Sequence, residues 1–181
     1  RFVKRHKLTQ SQYIDFGQVR IFNNLPSSLK RELKQQTYLP TMQAHPLFAV
    51  LQGSDKDFMR KVCSSCVQES QMGTGEEIVE AEKEISDMLF VVHGKVEYVS
   101  PEECIFHVKE KSWVCELTLW ANSVRLPGTL LSCDRGAHLI LLSSSAFRQT
   151  ARNFCNHFNF LSDYAVRFVH LFQEQSGCAR N

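Results

Sequence analysis

V-C-E-L-T-L-W-A-N-S-V-R-L-P-G-T-L-L-S-C-D-R-G-A-H-L-I-L-L-S-S-S-A-F, residues 114–147, holds most of what the chain says about itself. Leu130–Cys133 and His138–Leu142 are short, apolar and β-favouring, so they are expected to be two strands. The serines 143–145 then precede Ala146 and Phe147, the signature of a capped helix start. Upstream lies the other half, with Cys115, Glu116, Leu117 and Leu119. Between the two halves, Pro127 brings neither a side-chain donor nor a backbone N–H.

Working outward, the segment M-L-F-V-V-H-G-K-V-E-Y-V (88–99) predicts a hairpin, an apolar strand followed by an alternating one with His93-Gly94 at the turn. Gly73-Thr74-Gly75 predicts a turn, Glu77–Ala81 a short strand, and Cys104–Val108 another. Short strands at this spacing point to a small antiparallel roll or barrel flanked by helices.

The first third reads as helical. Leu8-Thr9 opens a segment through Phe22, with Thr9 as cap and Leu8 as staple. Asn23–Ser27 breaks it. A second helix follows from Ser28, with Leu29, Leu33 and Tyr38 toward a partner and Lys30, Arg31 and Lys34 outward. Pro40 and Pro46 are expected to bound a further short turn, and Ser54-Asp55-Lys56-Asp57 to cap a helix with Phe58, Met59 and Val62 on its apolar side. After Phe147, the residues Ala151, Phe154, Phe158, Leu161, Phe168 and Phe172 continue an aromatic-rich helical tail to about Gln173.

Composition sets the bounds. The 181 residues are 43% hydrophobic and 22% charged, the balance of a globular chain of one domain plus an accessory segment. A net charge of +2 argues against nucleic acid as a partner. No apolar run approaches the roughly 20 residues that span a bilayer. No signal peptide is visible, and the opening Arg1-Phe2-Val3-Lys4-Arg5 without Met is the form expected of an excised fragment. Seven scattered cysteines read as reduced, small apolar residues; Cys63-Ser-Ser-Cys66 lacks a second pair or a flanking His, so the sequence predicts no metal site there. No Ser-His-Asp set, carboxylate pair or glycine-rich phosphate loop stands in a recognisable context, so no catalytic residue is assigned. The acidic run at Glu76, Glu77, Glu80, Glu82 and Glu84 reads as a solvated edge.

Taken together, these motifs resemble cyclic-nucleotide-binding domains. That family carries F-G-E-(I/L)-x-L, a variable loop, R-(T/A)-A, two strands and a helix opening with Phe. Glu116, Leu117 and Leu119 keep their places, and the spacing from Gly128 to Phe147 fits without a gap. The family's Gly falls on Cys115, its Arg on Pro127, and its small pair on Gly128 and Thr129. Thr74-Gly75-Glu76 resembles the P-G-(D/E) turn, Pro46-Leu47-Phe48 the P-L-F entry, and Met88–Val96 the central hairpin, whereas Ala81-Glu82 departs from the usual E-G. Residues 2–8 and 24–33 resemble the C-linker, the helical connector of cyclic-nucleotide-gated, hyperpolarisation-activated and ether-à-go-go-type channels.

The resemblance implies an α+β architecture: a helical C-linker over 1–46, then a cyclic-nucleotide-binding-like domain over 47–175. In it, a jelly-roll-like β-roll spans about 66–143, helices about 144–174, and 176–181 forms a tail. It implies a cytoplasmic gating and assembly module on the inner side of a membrane. Its partners are neighbouring subunits packed through the linker as a four-fold ring, and a transmembrane pore domain. The corresponding nucleotide pocket is Cys115, Glu116, Leu117, Thr118, Arg125, Pro127, Gly128 and Thr129. A cyclic phosphate leaving water needs a guanidinium partner, and with Pro127 in that place tight binding of cAMP or cGMP is disfavoured. Rescue by Arg125, two residues away, swinging inward is disfavoured. Such a pocket is empty and structural, filled by the protein's own residues, or weakly occupied by altered contacts, in that order of preference. A soluble nucleotide sensor or the cytoplasmic domain of a membrane exchanger is the alternative setting.

Overall fold

The computed structural model describes residues 24–178. The helix expected over Leu8–Phe22 and the Lys4-Arg5 pair lie outside the described residues. The observed class is α+β: three helices, a curled antiparallel sheet, and two further helices. No helix among the described residues is long and apolar enough to cross a membrane.

Helix α1 (Ser27–Met42) leads into α2 (Pro46–Ser54) and α3 (Lys56–Ser65). Pro40 does not bound a separate turn as expected; it lies inside α1, two residues from the helix end, and the helix closes only at Met42. There, Tyr38 and Met42 are buried, so packing of the last turn outweighs the backbone bond that proline forfeits. Leu29, expected to face a partner, is 40% exposed within the chain. Pro46 occupies the first turn of α2, where its missing N–H costs nothing, and His45 caps that helix. Asp55 caps α3 as expected, accepting from the Phe58 N–H at 3.0 Å. Its other oxygen accepts from Asn156 N–H at 2.9 Å, so one buried carboxylate ties α3 to the joint between the last two helices.

The strands are β1 (Val67–Met72), β2 (Glu77–Val79), β3 (Glu84–Ile85), β4 (Asp87–Val99), β5 (Ile105–Val108), β6 (Trp113–Val114), β7 (Val124–Arg125) and β8 (Thr129–Ser143). The main sheet runs β1-β8-β4-β5, with β2 on β8 and β6 on β4; β3 and β7 form a separate two-stranded ribbon. Two expectations fail here for one shared reason. His93-Gly94 is not a hairpin turn, because β4 passes straight through it. The segments Leu130–Cys133 and His138–Leu142 are not two strands, because β8 joins them. The β4–β8 register slips between Val91 and His93 and again between Gly94 and Val96. Gly94 (φ +86°) and Gly136 (φ +74°) both adopt left-handed backbone there. A Cβ on Gly94 would stand 2.3 Å from the Gly136 carbonyl oxygen. The glycines thus make a bulge that bends two long strands together, curling the sheet without ending either strand.

Helix α4 (Ser144–Phe154) starts at the expected place, with Ser143 as its cap. After a break at Cys155–His157, α5 runs Phe158–Cys178, several residues past the expected end near 173–174, so helix extends into what was read as the tail.

Two apolar clusters result. One lies between helices and sheet and centres on Phe48, Phe58, Phe90 and Phe147. Their rings meet edge to face at 5.8–6.0 Å. The other fills the concave side of the curled sheet with Leu89, Val91, Val96, Leu130, Ala137 and Leu139. Because the bulge shapes the second cluster, Gly94→Ala is expected to cost about 2–4 kcal/mol, combining left-handed strain with a backbone clash. Urea denaturation midpoints of the two proteins measure it.

Candidate functional site

The segment between β6 and β7 carries the residues singled out from sequence. Cys115 has φ +64° and ψ 28°, a left-handed conformation that glycine adopts without strain. A short 3-10 helix, Glu116–Leu119, follows at once. The left-handed residue sends consecutive side chains to opposite sides. Cys115 packs against the sheet's interior cluster together with Leu126. Burial pushes its thiol up to about 12, so it stays a neutral, small apolar group at neutral pH. Glu116 goes the other way, into the helices.

There it finds two donors. His45 Nε2 lies 2.8 Å from one carboxylate oxygen, and the Tyr164 hydroxyl donates to the other at 2.8 Å. His45 is fully buried, its ring 4.4 Å from that of Trp113 and 5.3 Å from that of Phe48. Its Nδ1 accepts the Leu47 N–H at 3.1 Å, so Nε2 is the nitrogen that carries hydrogen and donates to Glu116. Burial alone raises the Glu116 carboxyl, but the hydrogen bond and electrostatic pull of His45, with the Tyr164 hydroxyl behind them, outweigh it and hold the group below its ordinary value. The Trp120 indole lies near enough to add to that pull, although its buried Nε1–H falls short of a hydrogen bond. Tyr164 moves in the opposite sense: burial first, then the hydrogen bond to Glu116 and its charge, raise the phenol above its usual range.

The rest of the segment is pinned by hydroxyls and one guanidinium. Buried Thr118 donates to the Cys115 carbonyl at 2.8 Å and receives the Ser144 hydroxyl at 2.8 Å. Arg148, from the second turn of α4, donates to the carbonyls of Thr118, Ala121 and Leu119 at 2.8, 3.2 and 3.4 Å, closing the open end of the 3-10 helix.

The remaining candidates do not converge on Glu116. Arg125 is exposed on β7, opposite Glu84 across the ribbon, and among the described residues it has no hydrogen-bond or ion-pair partner. Pro127 is exposed. Gly128 is buried where a Cβ would meet the Val99 carbonyl oxygen at 2.1 Å and the Tyr98 ring at 2.8 Å, which explains why this position holds glycine. Thr129 opens β8, and Leu117 is half-buried.

Three residues essential to the site escaped the sequence reading: His45, Tyr164 and Arg148. His45 had a signal, since it precedes Pro46 at a helix start. Tyr164 shares a helical spacing with Leu161 and Phe168, the inner stripe of α5. Cys63 and Cys66 lie at the helix-to-strand junction as expected, both buried and unbridged. Cys66 Sγ stands 3.3 Å from the Thr150 hydroxyl. Among the described residues no group of three or more His, Cys, Asp or Glu is placed to hold a metal ion. No protein-family model matches the sequence, and no curated protein matches it significantly.

A carboxylate whose folded pKa is depressed contributes stability above its unfolded pKa and loses it as pH falls through the folded value. Glu116→Gln is therefore expected to cost about 1–3 kcal/mol at pH 7. The gap between variant and parent should shrink once pH drops below about 4.3, the ordinary glutamate value. Chemical denaturation of both proteins across pH 3–7 measures this; a gap that persists unchanged at low pH contradicts the assignment.

Proposed function

We propose that the chain is the cytoplasmic gating and assembly module of a membrane cation channel, with a helical C-linker feeding a cyclic-nucleotide-binding-homology domain that does not take cAMP or cGMP tightly. The ordered series of motifs supports the architectural part, from the Asn24–Leu33 segment through Pro46-Leu47-Phe48 and the Glu116 segment to Phe147 at the start of α4. The α+β order of helices, curled antiparallel sheet and closing helices is compatible with it. One element of the likeness weakens, since Met88–Val96 lacks the turn of a central hairpin.

One observation carries the loss of nucleotide binding: Glu116, the residue that would receive a ribose hydroxyl, is occupied by His45 and Tyr164 on the helix side. The concave side, where a nucleotide would lie, presents apolar Cys115 and Leu126 packed on the sheet cluster. An anion placed there would lose its hydration and meet no cation. In this reading the cavity is filled from within. His45 belongs to the hinge between linker and domain, and Tyr164 to the last helix, so Glu116 joins the two parts whose relative position gating would alter. Neighbouring subunits and a pore domain are the partners this implies, on the cytoplasmic face of a membrane.

Thermal-shift titration with cAMP and with cGMP tests the pocket. A ligand at a hundred times its dissociation constant stabilises a fold by about 2.7 kcal/mol, so millimolar nucleotide is expected to leave the melting temperature unchanged. Pro127→Arg, which restores the missing guanidinium alone, is expected to leave it unchanged too. Micromolar binding by either protein would overturn the reading. In the parent polypeptide, six apolar spans with a basic fourth and a pore loop upstream of Arg1 are the expected setting.

A further inference from the structure

A second concavity lies outside the Glu116 cluster, between the 3-10 helix, α4 and the first two turns of α5. It encloses about 180 Å³. Its floor is apolar and buried, formed by Phe147 and Leu161, and its walls are Trp120 and Phe158. Two guanidiniums, Arg148 and Arg152, complete the lining. Among the described residues neither is paired with a carboxylate; Arg148 has only backbone carbonyls, and Arg152 stands exposed in the last turn of α4.

We infer that this cleft is a binding site for a small amphipathic anion, an aryl carboxylate of a single ring. Size sets the first limit. A cavity of about 150 Å³ lined by apolar side chains holds benzene, so the volume here suits one ring and one anionic group. Wall chemistry sets the second: three aromatic side chains offer edge and face contacts to a ring. Charge sets the third. The exposed guanidinium of Arg152, with the positive charge of Arg148 beside it, favours an anion over a neutral or cationic ligand, and the free fork of Arg152 matches a carboxylate. A bare inorganic anion would leave the apolar floor uncovered. The site stands apart from the channel reading and does not depend on it. A ligand seated there touches α4 and α5 at once, so it would hold the start of α5 against the body of the protein.

The test is a two-dimensional NMR titration of residues 1–181 with benzoate, following the two indole N–H signals. Trp120 lines the cleft, whereas Trp113 stands against His45 and serves as internal reference. The expected result is a saturable shift at Trp120 with a dissociation constant on the order of 1 mM. Benzyl alcohol and inorganic phosphate are each expected to bind at least roughly tenfold more weakly, the worth of one charge-assisted contact. Arg152→Gln is expected to weaken benzoate to a similar extent. Ser162→Trp, which fills the exposed rim without touching the core, is expected to abolish the shift while leaving the melting temperature in place. Hydrogen exchange at 158–165 should slow with benzoate in the parent and not in that variant. Shifts that stay linear with concentration would overturn the proposal. So would benzyl alcohol or phosphate binding as well as benzoate, or saturable binding that survives Ser162→Trp.

Discussion

The carboxylate of Glu116 is the group around which the molecule is organised. It is almost wholly enclosed, its side chain 11% exposed, and an enclosed carboxylate must be satisfied or protonated. Two donors satisfy it, one from the joint between α1 and α2 and one from α5. The depressed pKa of the acid and the raised pKa of the phenol are two expressions of one arrangement, an anion held by hydrogen-bond donors. Removing Glu116 takes a partner from both donors, and removing either donor leaves one carboxylate oxygen unsatisfied, so the three elements hold their positions together.

That arrangement depends on the backbone of the preceding residue. With φ at +64°, Cys115 turns the chain so that its own side chain enters the sheet's interior and the next one leaves it. A non-glycine residue bears some strain there, offset by burial of a small, neutral thiol. The same economy of backbone shape recurs where Gly94 faces Gly136 and where Gly128 lies against Tyr98. At each of these places two segments approach more closely than a Cβ permits, and the sheet takes its curl from the first.

Local signals in the sequence translated well where a single side chain acts on its own backbone. Asp55 and Ser143 cap helices because each places an oxygen against a free N–H, a relation spanning three residues. The strands at Glu77–Val79 and Ile105–Val108, and the β content of Met88–Val99 and Leu130–Leu142, were legible from short runs, whereas β3, β6 and β7 were not. What failed did so through long-range pairing. His93-Gly94 carries the composition of a turn, but whether glycine's freedom makes a turn or a bulge depends on the strand lying opposite, and Gly136 stands 42 positions away. Pro40 reads as a helix end until Tyr38 before it and Met42 after it are seen to bury themselves together. Of the candidate site, Cys115, Glu116 and Thr118 share one segment, with Cys115 facing the sheet and Glu116 the helices, whereas Arg125 and Pro127 lie apart from it. His45, 71 positions from Glu116, and Tyr164, 48 positions away, had no local mark tying them to that carboxylate.

On the proposed reading, nucleotide binding is disfavoured first by a missing charge, proline where the resemblance wants a guanidinium. The folded chain supplies a second and stronger obstacle. Restoring a cation at an exposed position leaves Glu116 committed to His45 and Tyr164, and freeing it would bare a buried imidazole and a buried phenol while exposing a carboxylate to no donor. Each such orphaned group costs on the order of 1–3 kcal/mol, and a ligand would have to offset them before gaining any net affinity. The Tyr164 hydroxyl that satisfies Glu116 also fastens the last helix, so satisfying the carboxylate and attaching that helix are one event. On the proposed reading, the protein's own side chains stand where a ribose hydroxyl would.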